Sequence, residues 1–137
     1  MERIIGIDYG RKRTGIAASD PLGIFASAID TVPTAGVVEY LKNYTSRENV
    51  KLFVVGYPRD LQNRPAEGAR YVEQLLSLLK KHFPSIPVIL EDERFTSKMA
   101  FQAMIDGGVK KMDRRDKSMV DKISAAIILQ SYLDRTK

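Results

Sequence analysis

Leu52-Phe53-Val54-Val55-Gly56 is an uninterrupted apolar run. A run this short, with β-branched and aromatic side chains, reads as a strand that has no solvent face. Strands buried on both sides lie in the parallel part of a sheet, which requires helices above and below it. The rest of the chain supplies them. Arg3 to Asp8 and Thr14 to Asp20 read as two further strands joined by a tight turn, and Ile24 to Thr31 as a third that closes a meander. Val88-Ile89-Leu90 is a short fifth strand. Helical spacing of Val37, Val38, Leu41 and Tyr44 predicts a helix from Pro33-Thr34 to near Asn49. Ala69, Val72, Leu75, Leu76 and Leu79 predict another over 66–82. A helix carrying Met99, Ala100, Ala103, Met104 and Ile105 is capped by Thr96 or Ser97 and stopped by Gly107-Gly108. The last helix covers 116–133, with Val120, Ile123, Ile127 and Ile128 as its apolar face and Ala125 and Ala126 small enough for close approach to the sheet. The order predicts one α/β domain over 1–137: a mixed five-stranded sheet, three-strand antiparallel meander plus two parallel strands, flanked by helices on both faces. A right-handed crossover then sets the fourth strand beside the first.

Composition narrows the chemistry. There is no cysteine and a single histidine, His82, so a thiolate or histidine metal cluster is excluded. Any metal must be held by oxygen, which favours Mg²⁺ or Mn²⁺ over Zn²⁺. No apolar run approaches the ~20 residues of a membrane span, and Met1-Glu2-Arg3 leads straight into a strand with no signal peptide, so the expected location is cytoplasmic. The 22 Lys and Arg against 17 Asp and Glu leave a net charge of +5, which suits a nucleic-acid partner. The bases gather in two turns, Arg11-Lys12-Arg13 and the stretch holding Lys110, Lys111, Arg114, Arg115 and Lys117. Either cluster alone is also what an ordinary solvated loop looks like.

Three groups of acids stand at element ends. Asp8 closes the first strand, between glycines: Gly10 is expected to take a positive φ in the turn, and Gly6 and Gly15 to leave room beside the carboxylate. Alone, Asp8 is explained by an ion pair with Arg13 or by turn capping. Glu91-Asp92-Glu93 follows the fifth strand, and strand alternation puts Glu91 and Glu93 on one face and Asp92 on the other. Asp121 opens the last helix one turn before Ala125, at the edge of the buried stripe, with Lys117 one turn earlier as a candidate partner. Alone it suits the helix dipole. Together the acids are harder to explain away. Two carboxylates ~4 Å apart repel by roughly 4 kcal/mol at an effective dielectric of 20, so three in one place require a proton or a cation. Two divalent ions, with basic turns to hold the flanking phosphates, would suit phosphodiester hydrolysis.

The motif Gly6-x-Asp8-x-Gly10-x-x-Arg13-x-Gly15-x-Ala17-x-Ser19-Asp20 closely resembles the opening of the YqgF/RuvX family, bacterial proteins of RNase H-like fold related to the RuvC Holliday junction resolvases. Gly56-Tyr57-Pro58, Asp92-Glu93-Arg94-Phe95-Thr96-Ser97, and Lys117-x-x-x-Asp121-x-x-Ser124-Ala125-Ala126-x-x-Ile128-Leu129-Gln130 resemble its other motifs, in order along nearly the whole chain. The resemblance implies a hydrolase: a nuclease dependent on Mg²⁺ or Mn²⁺, with two ions. It implies Asp8, Glu93 and Asp121 as catalytic and metal-binding acids, with Asp92 as substitute for Glu93. Arg11, Lys12, Arg13, Arg94, Lys110, Lys111, Arg114, Arg115 and Lys117 become the nucleic-acid-binding set; Arg13 and Arg94 either contact phosphate or brace the acids. The implied substrate is the 5′ end of pre-16S rRNA, with ribosomal particles as further partners, no membrane, and a monomer or homodimer. The second motif departs from the family: Asp60-Leu61-Gln62-Asn63 has no glycine, and Asn63 is the residue there that tolerates left-handed backbone.

Two other nucleic-acid readings compete. Branched DNA as substrate would make the chain a Holliday junction resolvase, which needs two sites related by a dimer axis. A non-catalytic binding module would have little use for acids on a phosphate-binding face. A phosphotransferase of the actin and sugar-kinase type would need a second domain, and the sequence has no P-loop pattern.

Overall fold

The structure is a computed structural model and describes residues 2–57, 69–92 and 117–136. The predicted helix over 96–107, the loop after Pro58 and the basic stretch up to residue 116 lie outside the described residues. β1 (Glu2–Tyr9), β2 (Arg13–Ser19) and β3 (Ala26–Pro33) form the meander. A single 3-10 turn (Thr34–Gly36) leads into α1 (Val37–Arg47), followed by β4 (Asn49–Tyr57), α2 (Ala69–His82), β5 (Val88–Asp92) and α3 (Lys117–Arg135). The sheet order is β3-β2-β1-β4-β5. β1 pairs antiparallel with β2 and parallel with β4, and β4 pairs parallel with β5. This is the mixed sheet that the strand pattern predicts, with β4 beside β1.

Side-chain alternation divides the core in two. Ile5, Ile7, Ile16, Phe53 and Val55 face α1 and α2, where they meet Val37, Leu41, Val72, Leu75 and Leu79. Ile4, Ala17 and Val54 face α3, against Ala125, Ile128, Leu129 and Leu133. Each such side chain contributes roughly 1.5–3 kcal/mol on burial, so both faces are substantial. Phe53, Val54 and Val55 are fully buried, as the apolar run demanded. No described helix is long and apolar enough to cross a membrane.

Three expectations need correction. β3 begins at Ala26 rather than Ile24, because Asp20 accepts hydrogen bonds from the backbone N–H groups of Ile24 (2.7 Å) and Phe25 (2.9 Å) and holds both in the turn. Gly23, not Gly10, takes the left-handed conformation, at φ +71°. Gly10 is needed for space: an added Cβ would stand 2.3 Å from the Arg13 carbonyl oxygen. The buried stripe of α3 runs through Ser124, Ala125, Ile128, Leu129 and Leu133, while Val120, Ile123 and Ile127 are only partly covered. Ala125 and Ser124 share this face with Ile128, Leu129 and Leu133, and the backbones approach closely. A Cβ on Gly6 would lie 2.7 Å from Leu129 Cβ and 2.9 Å from the Ala125 carbonyl oxygen.

Candidate active site

The parallel strands β1, β4 and β5 end together, at Tyr9, Tyr57 and Asp92. Carboxyl ends of parallel strands are where α/β folds assemble their sites. Asp8 alternates onto the same face as Ile4 and Gly6, the face that α3 covers. Its partner across the hairpin is Gly15. A Cβ on Gly15 would lie 2.0 Å from the Asp121 carbonyl oxygen, so the start of α3 sits directly on this glycine. The motif Asp8…Gly15 and the helix acid Asp121 meet at this glycine: Gly15 on β2 pairs with Asp8 and makes the seat for the Asp121 backbone.

Asp121 is half-buried, and Arg13 Nε donates to its Oδ2 at 2.7 Å. Of the two roles open to Arg13, this geometry supplies the brace. The turn that carries it is itself braced. Gly10 N–H donates to the Arg13 carbonyl at 2.9 Å. From the far end of β3, Thr34 N–H donates to the Lys12 carbonyl at 3.0 Å and the Thr34 hydroxyl to the Gly10 carbonyl at 2.7 Å. Gly10, Arg11, Lys12, Arg13 and Asp121 line a cleft of about 360 Å³. One wall is cationic and the other carries the carboxylate.

The acids that follow β5 separate by face. Glu91 is buried against α3, accepting from the Ser131 hydroxyl (2.9 Å) and from Arg135 Nη2 (2.6 Å). That hydrogen bond raises the Arg135 pKa above its ordinary value. Glu91 is thus a structural acid clamping β5 to α3. Only the i, i+4 spacing of Ser131 and Arg135 hinted at it in the sequence. Asp92 is exposed and, by alternation from Val88 and Leu90, lies on the α2 side, away from Asp8 and Asp121. Glu93, Arg94, Lys110, Lys111, Arg114 and Arg115 lie outside the described residues, and Lys117 is the first residue of α3. Among the described residues no three acids or histidines gather closely enough to hold a metal ion. Asp8 and Asp121, on either side of Gly15, carry carboxylates, the hard oxygen donors that Mg²⁺ and Mn²⁺ prefer.

The solved structures with this architecture include a fowlpox virus resolvase bound to Holliday junction DNA and a T. thermophilus RuvC bound to a Holliday junction substrate. The first has a TM-score of 0.61 at 11% identity, covering 98% of each chain. The second has a TM-score of 0.57 at 16% identity, covering 99% of this chain and 96% of that one. At these identities the likeness is one of fold, the RNase H-like fold. Sequence relatives are nearer. A protein of Parabacteroides distasonis named "Putative pre-16S rRNA nuclease" is 56% identical over 137 residues, all of this chain and 98% of the relative. One of Porphyromonas gingivalis with the same name is 50% identical over 134 residues, 98% of this chain and 97% of the relative. The family profile described as "RuvX: Holliday junction resolvase" matches residues 2–135, and the chain belongs to the RuvX family.

Proposed function

We propose that this RuvX-family nuclease hydrolyses phosphodiester bonds in structured RNA, at the 5′ end of pre-16S rRNA, with divalent metal held by Asp8, Glu93 and Asp121. The observation that carries the reading is the seating of the start of α3 on Gly15, the cross-strand partner of Asp8, with Asp121 in the wall of a basic cleft. The names of the relatives support the choice of substrate. Glu93 is preferred to Asp92 as third acid, because Asp92 lies on the opposite face while the alternation read from the sequence gives Glu93 the face of Glu91. Bound there, a divalent ion supplies Lewis acidity to activate water and to offset charge on the phosphate. The chain's own groups do the rest. Arg11 and Lys12 hold flanking phosphates against the turn, and Arg13 fixes the Asp121 carboxylate toward the cleft.

A second reading, a resolvase acting on branched DNA, is favoured by the family description and by the junction-bound neighbours. One experiment separates the two. A labelled pre-16S 5′-leader RNA and a four-way DNA junction are incubated in parallel with Mg²⁺ or Mn²⁺ and with wild type, Asp8→Asn, Asp121→Asn, Glu93→Gln and Asp92→Asn. The expected result is metal-dependent cutting of the RNA that the first three variants lose and Asp92→Asn keeps. Cutting of the junction alone would transfer the proposal to branched DNA. Asp8→Asn cutting at the wild-type rate would remove the acid site.

A further inference from the structure

Arg11 is held differently from its neighbours in the turn. Its guanidinium carbon lies over the ring of Tyr71, 5.6 Å from the ring centroid, where Tyr71 stands in the first turn of α2. Arg11 is exposed and Tyr71 half-buried. A guanidinium over an aromatic ring is steadied by the ring's negative face and keeps its charge, and its planar π-system is free to stack with a base. The turn beneath it is fixed by the Thr34 and Gly10 hydrogen bonds, so the platform is preorganised. The same residue lines the cleft that holds Asp121. Phosphate attraction alone would need only a flexible point charge at position 11, as Lys12 provides.

We propose that Arg11 and Tyr71 form a stacking subsite for one unpaired nucleobase of the substrate, next to the scissile phosphodiester. Only the placement beside the scissile bond rests on the nuclease reading. A base stacked on Arg11 leaves its own phosphate in the cleft between the basic turn and Asp121. Bases inside a duplex already stack on their neighbours and cannot take this position. The subsite therefore selects a single-stranded flank within a structured RNA, the sort of specificity that aromatic and arginine planes give RNA-binding proteins.

The test measures anisotropy of a short fluorescein-labelled single-stranded RNA, and of the same strand annealed to its complement, in EDTA over a series of salt concentrations. Tyr71→Leu and Arg11→Lys should weaken single-strand binding about tenfold, the size of one lost base stack. Tyr71→Leu should leave duplex binding and the salt slope unchanged, since it removes no charge. Tyr71→Phe should bind as wild type. Lys12→Gln should instead lower both affinities and reduce the salt slope by about one. Equal loss on both RNAs in Tyr71→Leu would overturn the subsite and leave the ring as a brace for the turn. So would unchanged single-strand binding in a Tyr71→Leu protein whose wild type cleaves the leader RNA, and that outcome leaves the nuclease standing. If the wild type cleaves no RNA yet shows the Tyr71-dependent preference, the stacking subsite stands and the nuclease falls.

Discussion

At the scale of single residues, the site depends on an atom that is missing. Gly15 has no Cβ, and one placed there would stand 2.0 Å from the Asp121 carbonyl oxygen and 2.9 Å from the Lys122 backbone nitrogen. Those are backbone atoms within a helix, so they cannot turn aside as a side-chain tip would. Gly15→Ala should therefore push the start of α3 off the sheet, at a cost of about 1–3 kcal/mol or more in urea unfolding. It should also carry Asp121 away from Asp8, and so abolish cleavage. Gly36→Ala is the control, since nothing lies within 4 Å of its added Cβ; it should change stability by less than ~1 kcal/mol. The need for small residues around Asp8 was legible in the sequence, but what fills the space was not. The contact between Gly15 and Asp121, like the Arg13 bond to Asp121, joins positions more than a hundred residues apart in the chain. Local spacing carries no record of such pairs, and for the same reason it offered Asp121 its neighbour Lys117 and matched Arg13 to Asp8. Asp20 gives a second residue-scale expectation. Its carboxylate accepts backbone hydrogen bonds from Phe25 and Ile24, which lower its pKa below the ordinary carboxylate value. A depressed folded pKa means that the contribution is complete above the unfolded value and is lost as pH falls through the folded one. Asp20→Asn should therefore flatten the acid limb of the stability profile below about pH 4, as followed by thermal unfolding.

At the scale of elements, α3 is the part that makes the sheet into a site, and it is held at both ends. Near its start it rests on Gly15 and is tied through Asp121 to Arg13; near its end Ser131 and Arg135 grip Glu91 on β5. The Glu91 pair is asymmetric, with the acid side chain 8% exposed and the arginine 55% exposed. Removing the arginine strands a buried carboxylate, whereas neutralising the acid leaves an arginine that water can solvate. Arg135→Ala should thus cost more than Glu91→Gln, about 1–3 kcal/mol against 1 kcal/mol or less; the reverse order in denaturant melts would mean that the clamp is not electrostatic. The helix itself was legible from its apolar spacing, and its inward face in part: Ala125 and Ile128 are buried as expected, whereas Val120, Ile123 and Ile127 are only partly covered. Val120, Ile123 and Ile127 are as apolar as Ile128 and Leu129, so hydropathy alone does not separate the two groups. The structure turns Ser124, Ala125, Ile128, Leu129 and Leu133 inward, with Leu129 and the Ala125 carbonyl over Gly6 and the Asp121 backbone over Gly15.

At the scale of the whole molecule, one chain carries one candidate site. Cutting a leader RNA needs a single hydrolysis, whereas resolving a four-way junction needs two, placed symmetrically and made together. The two substrate readings therefore differ in their dependence on protein concentration. If the chain acts on RNA through Asp8 and its neighbouring acids, the cleavage rate should rise in direct proportion to protein concentration at limiting enzyme, and light scattering should show monomer throughout that range. If it acts as a resolvase, paired cuts in the junction should rise more steeply than the first power at concentrations where two copies associate only in part. Monomers would give unpaired nicks instead. The net charge of +5 makes both reactions sensitive to salt, so the series must be run at one ionic strength. A first-order rate on RNA, joined with unpaired nicking of the junction, would fix the single-site reading. A steeper dependence on both substrates would mean that the catalytic unit is a dimer whatever the nucleic acid.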